Sequence, residues 1–141
     1  MSEQETETYW MQYNPHPKQK LVDDCVKRAI CCTTGMEYME VQRMLNRIKN
    51  QIGAQSFGNK IVGVELAKRS GWEHIVFSED GKYDAMDGVT FCKQHPTGNY
   101  ILQMPGHWVG CVDGKLYDTW DSTVKGVSEA WKVTGISEQP K

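Results

Sequence analysis

The sequence has no apolar run of the length that spans a lipid bilayer, about 18 residues or more. It also lacks an excess of one charge, since 16 lysines and arginines stand against 18 aspartates and glutamates. A chain with this balance has no broad basic surface for nucleic acid or anionic lipid. The initial stretch, MSEQETETYW, is acidic and polar, the reverse of a secretory signal peptide. We therefore expect a cytoplasmic protein that acts on neither membranes nor nucleic acid.

The cysteine content argues against a small secreted domain held by disulfides. The five cysteines are an odd number, which is typical of reduced thiols. The glycine-rich motifs that bind nucleotide phosphates are absent, and we expect no cofactor. A chain of 141 residues has the size of one domain. Residues 1–20 have no helical period and are expected to be an extended lead-in to a single domain at 21–141.

Helices are predicted in the first half of that domain. Asp23 or Asp24 is a suitable N-cap for a helix that Gly35 would end. Apolar residues then recur at spacings of three and four across 38–52, which predicts an amphipathic helix. A shorter helix is expected at 61–70.

Strands are predicted in the second half, after a change of pattern at Gly71. Apolar runs between turn residues predict strands at 72–77, 99–104, 106–112, 115–121 and 130–133, with a short helix at 89–95. Asp113-Gly114 is the strongest hairpin signal in the chain. Helices followed by antiparallel strands are typical of an α+β fold.

Cys25 lies at the start of the first predicted helix. Free N–H groups and the helix dipole stabilise a thiolate at that position. The neighbouring carboxylates of Asp23 and Asp24 oppose this effect, so a nucleophilic cysteine here needs a cationic partner. The alternative interpretation is a small, inert, buried thiol. Lys27 and Arg28 are interpreted as part of a solvated helix face.

His107 is the candidate partner, because a hairpin places acidic residues beside it. With a two-residue turn, Trp120 lies opposite His107 and Asp118 is a diagonal neighbour on the same face. A three-residue loop brings Asp121 opposite His107 instead. In either register a carboxylate can orient the imidazole.

These residues supply what nucleophilic catalysis by cysteine requires. Cys25 is the nucleophile, His107 takes and returns the proton, and Asp118 fixes the imidazole, with Asp121 as the reserve acid. Gln19, six residues before Cys25, is a candidate oxyanion donor beside the Cys25 backbone N–H.

Two short blocks of this sequence resemble a known family. Q-K-L-V-D-D-C, which ends at Cys25, is similar to the papain-like cysteine peptidases. It is especially similar to the bacteriocin-processing peptidase domains of ABC transporters, where a glutamine precedes an Asp-Cys pair by the same interval. G-H-W-V-G-C-V and K-L-Y-D-T-W resemble the histidine and N-S-W strands of papain. The blocks also resemble small papain-like proteins of phages and bacteria.

The resemblance implies a papain-like fold, in which N-terminal helices pack on an antiparallel sheet with the cleft between them. It implies a cysteine peptidase that hydrolyses a peptide or isopeptide bond, with a protein or peptide as its partner. Asp118 stands where papain has its orienting asparagine. Trp120 stands where papain has a tryptophan that shields the histidine–asparagine hydrogen bond.

Three alternatives remain at this point. Cys92, His95, His107 and Cys111 are residue types that bind zinc, but 107 and 111 on one strand are about 13 Å apart, and we expect no metal. A peptidoglycan amidase of the NlpC or CHAP type shares the Cys–His order. A non-catalytic binding module, such as a phage protein that blocks a host factor, is suggested by Val26 and Lys27, which replace the small residues that follow the nucleophile in papain.

Overall fold

Helices cover both faces of a mixed β-sheet in the residues that the computed structural model describes, 8–54, 60–78, 80 and 82–140. The helices in these ranges are α1 (Cys25–Thr34), α2 (Tyr38–Ile52), α3 (Lys60–Ser70) and α4 (Gly88–Gln94). The strands are β1 (Trp10–Gln12), β2 (Glu73–Val76), β3 (Asn99–Met104), β4 (His107–Val112), β5 (Lys115–Asp118) and β6 (Glu129–Lys132). The predicted α+β class is confirmed.

The sheet has the strand order β1-β5-β4-β3-β6-β2. Neighbouring strands are antiparallel except β1 and β5, which run parallel, so the expectation of an antiparallel sheet is corrected at this edge. The parallel strand comes from the stretch interpreted as a lead-in. Gln12 pairs with Asp118, and the Trp10 indole N–H donates to the Asp118 carbonyl at 3.2 Å. Part of the lead-in therefore belongs to the sheet and holds the strand that ends at Asp118.

A two-residue turn joins β4 to β5, as the sequence predicts. Asp113 and Gly114 both have positive φ, 48° and 76°, which is the backbone conformation that a tight hairpin requires. Val112 consequently pairs with Lys115. This register fixes which residues of β5 lie near the start of β4.

Two apolar layers hold the helices to the sheet, because alternate strand residues point to opposite faces. The layer beneath α1, α2 and α3 contains the buried side chains of Ile30, Val41, Leu45, Leu66 and Trp108. The layer beneath α4 contains those of Phe91, Leu102, Val109 and Leu116. None of the helices within the described ranges is long and apolar enough to cross a bilayer.

Helix α1 lies unusually close to β4. A Cβ atom added to Gly110 would be 2.9 Å from the Cys32 sulfur, which is closer than van der Waals contact allows. Glycine at this strand position therefore lets the helix approach the backbone of β4. The close contact fixes the start of α1, with Cys25, relative to the start of β4, with His107.

Candidate active site

Cys25 is the first residue of α1 and is half-buried. Asp24 is at the N-cap position, but its side chain accepts no hydrogen bond from the helix backbone. The capping predicted for Asp24 is therefore not realised, because its carboxylate is bonded to the side chains of Arg28 and Tyr38. The first N–H groups of an α-helix lack acceptors within the helix, and Cys25 stands at that end of α1.

His107 and Asp118 form the hydrogen bond that the hairpin register predicts. The Nε2 atom of His107 lies 2.6 Å from Oδ2 of Asp118. The Asp118 side chain is 1% exposed and that of His107 12%, so the bond is screened little by water. Because Asp118 occupies Nε2, the other ring nitrogen, Nδ1, is left to serve the thiol.

Asp118 is held by further donors besides the imidazole. The backbone N–H of Thr119 donates to its Oδ1 at 2.8 Å, and the hydroxyl of Ser122 donates to its Oδ2 at 2.9 Å. The guanidinium of Arg28 lies 3.3 Å from Oδ1. A buried carboxylate with this many donors has a fixed orientation.

The surroundings of His107 favour its protonated form. Burial lowers the pKa of the imidazole, but hydrogen bonds to Asp118 and to the Cys25 thiol raise it to about 9. The contacts of His107 therefore bring together the three residues that the sequence selects as nucleophile, base and orienting acid. A thiol and an imidazole in this contact can exchange a proton to give a thiolate–imidazolium pair.

The Cys25–His107 pair lies between two depressions of the surface. Both are lined by Asp23, Cys25, Gly106 and His107. One, of about 360 Å³, continues to Val26, Lys60, Tyr83, Gln103 and Trp108. The other, of about 410 Å³, continues to Leu21, Val22, Asp24, Arg28, Thr119 and Trp120. An extended ligand can thus cross the pair and fill space on both sides.

A larger and more open depression lies elsewhere, at the Asp113-Gly114 turn. Its volume is about 900 Å³ and its lining includes Cys92, but neither Cys25 nor His107. Because Cys92 is only 1% exposed, this depression presents no accessible thiol.

Arg28 is a functional candidate whose environment differs from the predicted one. It was expected on a solvated helix face, yet it is 7% exposed and pairs with both Asp24 and Asp118. The turn of helix between Asp24 and Arg28 carries both side chains to the same face, toward β5. The four-residue spacing of Asp24 and Arg28 is the sequence feature that could have indicated this pairing. No sequence feature indicates the role of Ser122, which follows β5.

Two predicted side chains are not brought to the pair. Gln19 is exposed, lines neither depression, and donates its side-chain N–H groups to the backbone carbonyls of Asn14 and His16 at 3.1 Å. Its own turn therefore uses the donors that were expected to serve an oxyanion. Asp121 accepts hydrogen bonds from the backbone N–H and hydroxyl of Thr123, because the two-residue turn brings Asp118 to His107 in its place.

Trp120 lies beside His107, with the ring centroids 5.1 Å apart and the planes tilted by 40°. The indole is 41% exposed, so it belongs to the wall of the cleft and not to the core. It therefore covers one side of the imidazole from solvent.

The other cysteines differ from Cys25 in their surroundings. Burial raises the pKa of Cys31 and of Cys32 to about 12. Cys92 and Cys111 are buried, with their sulfur atoms 3.9 Å apart. Across the described parts of the chain, no group of three or more His, Cys, Asp or Glu side chains is arranged to hold a metal ion.

Comparisons with known proteins leave the site to be interpreted from its own chemistry. No protein-family model matches the chain, and no curated protein or solved structure matches it significantly.

Proposed function

We propose that this protein is a cysteine peptidase with a papain-like arrangement of helices and sheet. The observation that carries the proposal is the hydrogen bond of His107 to the buried Asp118 in a two-sided cleft that Cys25, at the N-terminus of a helix, lines together with His107. A thiol, an imidazole and a buried carboxylate in that order are the parts of a nucleophilic triad.

In the first half of the reaction, His107 accepts the proton of the Cys25 thiol, and the thiolate attacks the carbonyl carbon of an amide. The negative charge moves to the carbonyl oxygen, where the free N–H of Cys25 can stabilise it. The tetrahedral intermediate then collapses with cleavage of the C–N bond. The His107 imidazolium gives its proton to the leaving amine, and the acyl group remains on sulfur as a thioester.

In the second half, water replaces the amine. His107 accepts a proton from the water as its oxygen attacks the thioester carbon. Cleavage of the C–S bond releases the carboxylic acid product and returns the Cys25 thiolate, which again pairs with the imidazolium. Asp118 stabilises the imidazolium in both halves and prevents rotation of the ring.

A polypeptide is the substrate class that best suits the cleft. Leu21, Val22 and Trp120 are 79%, 46% and 41% exposed beside the Cys25–His107 pair, and apolar side chains of a peptide can cover them. The free thiols suit a reducing compartment, and we propose that the protein acts in the cytoplasm.

The proposal is tested by incubating the protein with a library of peptides prepared from a digested proteome and identifying new termini by mass spectrometry. We expect cleavage by the wild-type protein and none by Cys25→Ala. His107→Ala should also abolish cleavage. His74→Ala is the matched control, because His74 forms a similar pair with Glu129, 2.7 Å apart, that involves neither Cys25 nor Asp118.

Two other results would replace the proposal. Cleavage of purified peptidoglycan, with no cleavage of the peptide library, would identify an amidase of the cell wall. Absence of any cleavage, together with tight and Cys25-independent capture of a protein, would identify a binding module.

A further inference from the structure

Two buried carboxylates share one buried guanidinium next to His107. Arg28 forms ion pairs with Oδ1 of Asp24 and, at 3.3 Å, with Oδ1 of Asp118. The side chains of Asp24 and Asp118 are each 1% exposed, and that of Arg28 is 8% exposed. Water therefore screens these charges little, and each of them affects the protonation of its neighbours.

The charges of this cluster do not cancel. Asp24 and Asp118 contribute two negative charges and Arg28 one positive charge, which leaves one negative charge in a buried place. His107 lies 2.6 Å from Asp118 and neutralises that charge when it is protonated. The surplus charge thus favours the imidazolium. Without the Asp24 charge, Arg28 would balance Asp118 completely and the surplus would disappear.

The other polar groups near the cluster do not alter its net charge. Tyr38 donates its hydroxyl to Oδ2 of Asp24 at 2.7 Å, and Ser122 donates to Asp118; both groups are neutral. The Cys32 thiol of α1 also faces Asp118, and the burial that raises its pKa to about 12 keeps it uncharged.

Further titratable groups face His107 from the elements around the cleft. They are Cys25 of α1, Asp23 just before it, Lys60 of α3 and Tyr83 of the loop before α4. Asp23 is exposed, and Lys60 has Glu129 as a partner 3.9 Å away. Their charges are screened by solvent more strongly than those of the buried cluster.

We propose that Asp24 and Arg28 are positioning residues that control the protonation state of His107 through Asp118. Arg28 orients Asp118. Because Asp24 partly neutralises Arg28, the guanidinium offsets less of the Asp118 charge that stabilises the imidazolium. The inference rests on the proposed function only for the use of His107 as a base. Its test requires no hydrolysis, so the two can fail separately.

The test is an NMR titration of the His107 imidazole in a Cys25→Ala background. Removal of the thiol ensures that the midpoint belongs to His107 and not to a coupled pair. Comparison with His107→Gln assigns the signal. Asp24→Asn, which is nearly isosteric, should lower the midpoint by about one pH unit. Asp24→Glu, which keeps the charge, should leave it closer to the parent value.

Glu65→Gln is the matched control. Glu65 and Arg69 have the same spacing on α3 as Asp24 and Arg28 on α1, they lie 2.9 Å apart, and Arg69 is buried. This pair does not contact Asp118, so the His107 midpoint should not move. If Asp24 and Arg28 have only a structural role, Asp24→Asn will reduce stability and leave the His107 midpoint unchanged. That result overturns the proposal.

Arg28→Gln decides the question if Asp24→Asn does not fold. Glutamine removes the positive charge and leaves two carboxylates near the imidazole, so the His107 midpoint should rise by at least about half a pH unit. Lower stability with an unmoved midpoint is the result of a purely structural role and overturns the proposal. With Cys25 present, Asp24→Asn should slow alkylation by iodoacetamide near neutral pH by up to about tenfold. If Asp24→Asn shifts the His107 titration but the wild-type protein cleaves no peptide, the proposed peptidase function is rejected and the role of Asp24 and Arg28 is retained.

Discussion

Asp118 and His107 are joined by a 2.6 Å hydrogen bond that depends on the length of one turn. The two-residue connection at Asp113-Gly114 pairs Val112 with Lys115, and this register brings the end of β5 to the start of β4. One more residue in the turn would offer Asp121 to the imidazole. The identity of the acidic partner is therefore a consequence of hairpin geometry.

Asp118→Asn should slow alkylation of Cys25 near neutral pH by about a hundredfold or more, whereas Asp121→Asn should leave it unchanged. The amide keeps the shape of the carboxylate but carries no charge to stabilise the imidazolium. Iodoacetamide labelling followed over time by mass spectrometry measures both variants. Equal effects of the two substitutions would contradict the assignment of Asp118.

Cys25 should be the first of the five cysteines to react with iodoacetamide in the folded protein. It is half-buried at the cleft and contacts an imidazole, whereas burial raises the pKa of Cys31 and Cys32 to about 12. Peptide mapping after brief labelling identifies the site. The rate should fall in His107→Ala and not in His74→Ala; faster labelling of another cysteine in the native protein would show that the nucleophile is misassigned.

Local patterns predicted the parts of this site that depend on short-range geometry. The helix start gave Cys25, and the turn residues gave the register that unites His107 with Asp118. Strand β1 was not predicted, because its parallel pairing with β5 joins residues far apart in the sequence. A three-residue strand also carries too little pattern to be recognised by its alternation.

The directions of the side chains explain why Arg28 and Gln19 differ from their predicted roles. Arg28 and Lys27 are neighbours with the same charge, but the helix turns Arg28 to the buried side and leaves Lys27 half-buried beside Gln42. Composition alone cannot distinguish them. Gln19 has positive φ, 56°, and its side chain closes its own turn, an outcome that the interval to Cys25 does not reveal.

The stability of the protein should decrease as the pH rises from about 6.5 to about 9. Contacts with Asp118 and Cys25 raise the pKa of His107 from 6.5 to about 9, so the folded protein holds this proton more tightly than the unfolded chain. The resulting stabilisation is complete below pH 6.5, and it is lost as the pH passes through the folded-state value. It amounts to on the order of 3 kcal/mol.

Urea unfolding at a series of pH values measures this dependence. The difference in unfolding free energy between the wild-type protein and His107→Gln should shrink across the same interval. Cys25→Ala should narrow the pH range over which this difference changes, because it removes one of the two hydrogen bonds that raise the pKa of His107. A difference for His107→Gln that is constant with pH would contradict the raised pKa.

Trp120→Phe should slow alkylation of Cys25 near neutral pH while it changes the free energy of unfolding by less than about 1 kcal/mol. The indole lies 5.1 Å from the His107 ring and is 41% exposed, so its loss removes cover from the imidazole more than it removes core packing. A phenyl ring is smaller and admits water to the His107–Asp118 hydrogen bond. In a higher local dielectric that bond is weaker, and less of the thiolate–imidazolium pair forms.

Leu21→Ala is the control, because it removes an exposed apolar group from the same depression but not from the imidazole ring. Labelling at the wild-type rate in a well-folded Trp120→Phe protein would show that Trp120 is only part of the cleft wall.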